Sequence, residues 1–342
     1  EEANKPYRAL KEAVEVFKEH DGVIREGFCK FFGDSKFATS QVGNLNALHY
    51  SSLEWAELCP VLWSKQIRLC WTGLWQWSIN HARREPQDLS QEQKASLIAS
   101  LDGYCVQEDF DFIYSRLPER LQAHFLPNMV AIYLFKDCVE KFFTNPFWYT
   151  VPRPGMKKAD LEKAGFGTQV YNIYKNILAD NPRNAHLWRV WTTRFSHPST
   201  ELGTETVSHR ISTANALCTE VWNKDLLQSL TRTLGGSAVS DGFSWLQRIY
   251  NDFATAAVTM SAHLSYVHFG TLEDPSPLFS RSSNDTEASG DHVTGENLDG
   301  HRILVLEHPA VYICGGWDNP NERRLQKKAV VQISERKESS SP

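Results

Sequence analysis

The 342-residue chain has no C-x-x-C pair, no apolar run suited to spanning a bilayer, no surplus of positive charge and no catalytic signature. Each absence narrows the function. The seven cysteines are Cys29, Cys59, Cys70, Cys105, Cys138, Cys218 and Cys314, an odd number set mostly in apolar helical stretches. They read as reduced, buried thiols of a cytosolic protein, not as a disulfide framework. The strongest apolar stretch, around 126–143, carries Lys136, Asp137, Glu140 and Lys141 near its end. A bilayer span needs about 20 largely uncharged residues, so no membrane partner is expected. No secretory leader pattern is visible. A net charge of −5 gives no global basic field, which argues against coating nucleic acid along its backbone. It leaves room for a protein that encloses nucleic acid through few contacts.

The motif search is equally negative. The chain contains no G-x-S-x-G, no H-E-x-x-H, no Walker A loop and no kinase set. Gly165 and Gly167 lack the third glycine and the preceding strand of a nucleotide loop. His263 and His268 are five residues apart, whereas a shared metal on a helix wants four. The acidic group Glu108, Asp109 and Asp111 lacks the spaced ligands and turn glycine of a calcium loop, and reads as acids favouring a helix N-terminus. No catalytic residue, metal or cofactor is therefore expected. A Cys–His pair remains open, because its partners are distant in sequence.

What the chain has is aromatic mass: 11 Trp, 11 Tyr and 18 Phe. Rings on this scale fill a large core or anchor subunit contacts. A chain of this length buries roughly 75% of its extended surface and needs no staples. It makes one large domain or two.

The pattern is helical. Leu126 to Tyr149 is the central stretch. Pro127 suits a helix start, Asn145-Pro146 stops it, and Met129, Val130, Ile132, Tyr133, Leu134 and Phe135 leave almost no polar face. Glu1 to Phe32 is an amphipathic helix or two, with a partner-exchange arm as one use. Ser64 to Ala82 is a buried helix whose WTGLWQW run is core, not a base-stacking platform: Lys65, Arg68, Arg83 and Arg84 flank the aromatics, but no basic residue lies between Trp71 and Trp77. Asp88 or Ser90 caps a helix reaching Leu101. Gln107 to Phe125 continues, broken at Pro118. Ala159–Ala179, the HLWRVWTTRF stretch begun by Asn184 or the preceding turn, with Leu187, Trp188, Trp191 and Phe195 on one face, then Glu205–Leu217, Val221–Leu234 and Ser237–Phe269 complete the helices.

The expected architecture is mainly α, with three regions. Residues 1–269 form a helical core domain, with a proline-rich crossing near 145–155 that is either a linker or a loop bridging two halves. Residues 270–300, rich in Ser, Gly, Pro and acids, form a polar mobile or protruding segment. Residues 301–342 hold short strands, at His301–Glu307, Ala310–Cys314 and Ala329–Ser334, and a polar tail. The most basic patch is Arg183, His186, Arg189 and Arg194; it faces RNA, a subunit interface or solvent.

The stretches LPNMVAIYLFKDCVEKFFTNPFWYTVPRPG and NILADNPRNAHLWRVWTTRFSHP, followed by the polar segment near 270–300, give the chain an overall style. In that style it resembles the coat proteins of small double-stranded RNA viruses of the partitivirus or cryptic-virus type. The resemblance carries no diagnostic motif. It implies a helical shell domain and a protruding domain, and homodimers building an icosahedral virion in the host cytoplasm. The shell would enclose double-stranded RNA, through few contacts, and the viral polymerase. The rival readings are a cellular helical scaffold or adaptor that binds a partner protein, and a helical enzyme whose site residues are unlinked in sequence.

Overall fold

A computed structural model describes residues 63–150, 165–194, 201–232, 237–263, 265–290, 292, 297–315, 319 and 322–335; all belong to the unit Leu58–Pro342. The expected N-terminal helix and exchange arm, Cys29 and Cys59, and the proline-rich crossing beyond Thr150 lie outside the described residues.

The mainly α expectation holds: ten α-helices and two small three-stranded sheets are seen among the described residues. The helices are α1 (Trp63–His81), α2 (Gln91–Ser100), α3 (Phe110–Arg116), α4 (Glu119–Gln122), α5 (Phe125–Cys138), α6 (Phe166–Asp180), α7 (Pro182–Arg194), α8 (Glu201–Trp222), α9 (Asp225–Leu230) and α10 (Ser237–Ser261).

Helix α5 is the axis. Every residue from Phe125 to Phe135 is buried, because its apolar side chains cover the whole circumference and other elements must pack all round. It starts at Phe125, two residues before the expected Pro127, which sits inside the first turn where its missing N–H costs nothing. Beyond Cys138 the helix widens into a π turn, Val139–Phe143. Asn145 stops the chain: its Oδ1 accepts from Phe147 N at 2.9 Å.

Helices α1, α2 and α4 pack on α5, and α10 packs on α1 and α8. Aromatic rings carry these contacts. The Trp71 ring meets Phe135 at 5.5 Å, and Phe135 meets Phe253 and Phe269, each at 5.6 Å. Each large apolar side chain so buried stabilises by about 1.5–3 kcal/mol. Trp71 and Trp77 of the WTGLWQW run are buried, as expected of core, whereas Trp75 faces outward.

Local signals account for several boundaries. Ser90 caps α2 in a capping box with Gln93. Asp109 caps α3, accepting from Phe112 N at 3.0 Å. Asp111 pairs with Lys94 at 2.7 Å, and Glu108 with Arg302 at 2.7 Å. The acidic group thus has three separate jobs. The break expected near residues 218–220 falls instead at Asn223-Lys224, after a continuous α8.

The strands are β1 (Tyr266–Phe269), β2 (Thr286–Ala288), β3 (Ile303–His308), β4 (Val311–Cys314), β5 (Arg323–Lys327) and β6 (Ala329–Ile333). One sheet runs β1-β4-β5, all antiparallel. The other runs β2-β6-β3, with β2 parallel and β3 antiparallel to β6. Pairing crosses both expected boundaries. Tyr266–Phe269, expected as the end of a helix, pairs with β4. Within 270–300, Thr286–Ala288 pairs with β6, Leu278 bridges Arg302, and Phe279 and Leu298 are buried. These parts of the segment are tied by pairing or burial to the strand region. Backbone pairing holds them, and composition does not register that.

Candidate functional site

The four basic residues singled out in the sequence do not form a free basic surface. Asn181 starts α7, its Oδ1 accepting from Asn184 N at 3.1 Å, with Pro182 at the first helical position. Arg183 is exposed, His186 and Arg189 are buried, and Arg194 is half-buried. Arg189 Nη1 donates to Ser261 O at 2.7 Å and Nη2 to Ser265 O at 3.4 Å. Arg194 Nε donates to Ala262 O at 3.1 Å. The acceptors lie at and just past the C-terminal end of α10. The last carbonyls of a helix lack intrahelical donors and carry partial negative charge, so cations are favoured there. Two arginines of α7 therefore cap α10. His186 contacts Tyr174 Oη at 3.2 Å and stacks on Tyr266 at 5.1 Å. Burial, then the charge of Arg189, pulls its imidazole down to about 4. Of the expected patch, His186 and Arg189 are taken into the fold while Arg183 stays exposed; a charge count along α7 cannot reveal that α10 presents unsatisfied carbonyls opposite.

A second polar cluster lies inside the helical body. Asp137 of α5 is buried. It accepts from Tyr250 Oη at 2.7 Å and pairs with Lys141 at 3.1 Å and Lys224 at 3.4 Å. Lys141 also donates to Leu217 O at 3.2 Å. The network joins α5, the π turn, α8 and α10. Burial drives the Tyr250 hydroxyl well above its usual range, the nearby Cys138 and Asp137 adding to it. Cys70 and Cys218 are pushed up to about 12, chiefly by burial, so these thiols stay protonated and unreactive at neutral pH. A buried carboxylate with this many donors is fully engaged in structure.

The described residues also form a cleft of about 650 Å³ between α6, the π turn, the end of α10 and β1. Ala257, Met260 and Phe269 are among its buried apolar lining; Tyr104, Tyr171, Tyr174 and Tyr266 add phenol rings; Lys136 and Glu140 pair with each other at 2.6 Å. The volume lies in the range of small-molecule sites. Its lining comes from segments as distant as Asp102 and Glu273, which is why sequence spacing gave no sign of it. Among the described residues, no three His, Cys, Asp or Glu side chains are grouped to hold a metal ion. His263 packs against Trp63 at 5.4 Å, and His268 against Tyr312 at 6.1 Å. No helix among the described residues is long and apolar enough to cross a membrane.

Comparison with known proteins identifies no relative: no protein-family description, curated protein or solved structure matches the chain.

Proposed function

We propose that the chain is a structural, self-assembling subunit of the viral coat type. Its partners are further copies of itself, starting from a homodimer, with double-stranded RNA enclosed through few contacts and a viral polymerase inside. One observation supports the reading above others: large apolar side chains remain exposed on separate helices. They are Leu69 and Trp75 on α1, Phe112 on α3, Ile173 on α6 and Ile211 on α8. A shell subunit meets several neighbours at once and needs more than one apolar contact. The acidic net charge and the internal use of Arg189 and Arg194 agree with loose contact to enclosed RNA. Negative-stain microscopy of the purified chain tests this. Closed particles of uniform diameter are expected; isolated small molecules at every salt concentration would refute it.

The 650 Å³ cleft favours a second reading, a helical enzyme or small-molecule binder. A saturable ligand in that cleft, with no particles formed, would turn the argument that way.

A further inference from the structure

A second arginine group lies at the far end of α1. Arg83, Arg84 and Arg232 line one shallow cleft of about 490 Å³, together with Glu85 and Asp88. The backbone sets them side by side. Ala82 and Thr231 form an antiparallel bridge; Arg83 N donates to Leu230 O at 2.8 Å, and Arg232 N to His81 O at 2.9 Å. Arg232 is held further. Its Nε donates to Ala82 O at 2.7 Å and its Nη2 to Ile79 O at 3.2 Å, which caps the C-terminal end of α1. That leaves Nη1 without a protein acceptor among the described residues. Arg83 Nε is buried and has no acceptor there either. Neither Arg83 nor Arg84 makes an ion pair within the described residues. Glu85 is turned to Gln87, whose Nε2 donates to it at 3.2 Å.

Three arginines line this one cleft, and their like charges repel each other unless anions offset them. Guanidinium N–H groups make charge-assisted hydrogen bonds to phosphate oxygens, and Arg232, already fixed on the Ala82 and Ile79 carbonyls, can offer its remaining Nη1 with little freedom left to lose. We propose that this cleft is a binding site for a single phosphate group, either a free phosphate or one phosphodiester of a nucleic-acid backbone. Its potential is felt by its neighbours. Arg232, after burial, pushes the His81 imidazole down, and Arg84 does the same to Arg232. The two carboxylates at the cleft limit the local excess to one positive charge. A compact anion fits that balance; a long polyanionic track does not. The inference rests on this local geometry and not on the coat reading.

The test uses the full chain. Thermal shift and calorimetry are run with sodium phosphate, against sodium chloride at equal ionic strength, on the native protein and on Arg84→Gln, whose exposed side chain leaves folding intact. Arg83→Gln/Arg84→Gln is the second variant and Arg120→Gln, also exposed, the control. Phosphate should stabilise the native protein and the control, with affinity at least tenfold weaker in Arg84→Gln and lost in the double variant. Equal phosphate response in all four proteins, or none in the native one, overturns the site. A second arm titrates a short RNA duplex across salt concentrations. A salt slope lower by about one in Arg84→Gln assigns the site to backbone phosphate. Phosphate binding with an unchanged RNA slope assigns it to the free anion. Particle formation is scored separately, so failure here is distinct from failure of the coat reading.

Discussion

Replacing Arg189 by alanine separates a structural arginine from an RNA-contacting one. Arg189 is 2% exposed, with its fork on the carbonyls of Ser261 and Ser265. A hydrogen bond involving a charged group is worth about 1.5–3 kcal/mol, and a buried acceptor left unmet costs about 1–3 kcal/mol. Removing the buried charge returns part of this, because desolvating a cation is itself unfavourable by several kcal/mol. The void left beside Tyr266, whose ring lies 6.0 Å from the guanidinium, adds a cavity cost. The balance is a destabilisation of about 2–4 kcal/mol. In a unit of this size that lowers Tm by roughly 5–10 °C. Arg189→Lys keeps the charge and loses the fork, so it should fall between alanine and the native protein. Urea unfolding with an unchanged m-value measures the loss. An alanine variant within about 0.5 kcal/mol of native stability, but with weakened RNA binding, would refute the capping role.

The pH response follows from buried histidines. His186 is held down to about 4, and His308, buried against Trp71 and Phe135, to about 3, burial being the larger cause and Lys327 the next. Below about pH 6.5 both stay neutral when folded, down to about 4 and about 3, and take up a proton on unfolding. Their stabilising effect is thus full above the unfolded value of about 6.5 and is lost as pH falls from there toward 4 and then 3, by roughly 1.4 kcal/mol per pH unit for each group. Urea midpoints should fall steeply between pH 6 and 4, and His186→Gln should flatten the curve; a flat native curve contradicts the burial argument. At Gly167, an added Cβ would overlap the Phe147 carbonyl oxygen. Gly167→Ala should therefore destabilise by about 1–3 kcal/mol by prising α6 from the Phe147 turn, and native-like unfolding would rule that contact out. Trp77 is fully buried and donates Nε1–H to Gly242 O at 2.8 Å, so Trp77→Ala should cost about 3–5 kcal/mol. Trp75→Ala, at 38% exposure, should cost under about 1 kcal/mol; equal losses would show that α1 is misoriented.

The elements legible in the sequence are those built on local chemistry. The central helix is marked by an apolar surface without a polar face and by Asn145-Pro146. Helix α2 is marked by Ser90 and Gln93, and β3, β4 and β6 by runs such as HRILVLE and AVYIC. What escaped is tertiary. Tyr266–Phe269 continues a helical apolar period, yet it pairs with β4 because α10 ends at Ser261 under the arginines of α7. Thr286–Ala288 has no apolar signature and is recruited by the β6 backbone. The basic look of α7 was visible, but not the carbonyls that consume it. Arg83 and Arg84 were visible only as flanks of the tryptophan run; Arg232, the third member of their cleft, is set beside them by a bridge spanning about half the chain.

The central claim is that this chain uses its rings and exposed apolar side chains to hold helices and neighbouring copies together. Sedimentation velocity of the purified chain at low and high salt, beside Leu69→Ser/Trp75→Ser, tests it most directly. The account predicts a megadalton species for the native chain and a loss or shrinkage of it in the double variant, whose unfolding midpoint stays near native. A native chain that sediments as a monomer or dimer under every salt condition would contradict it.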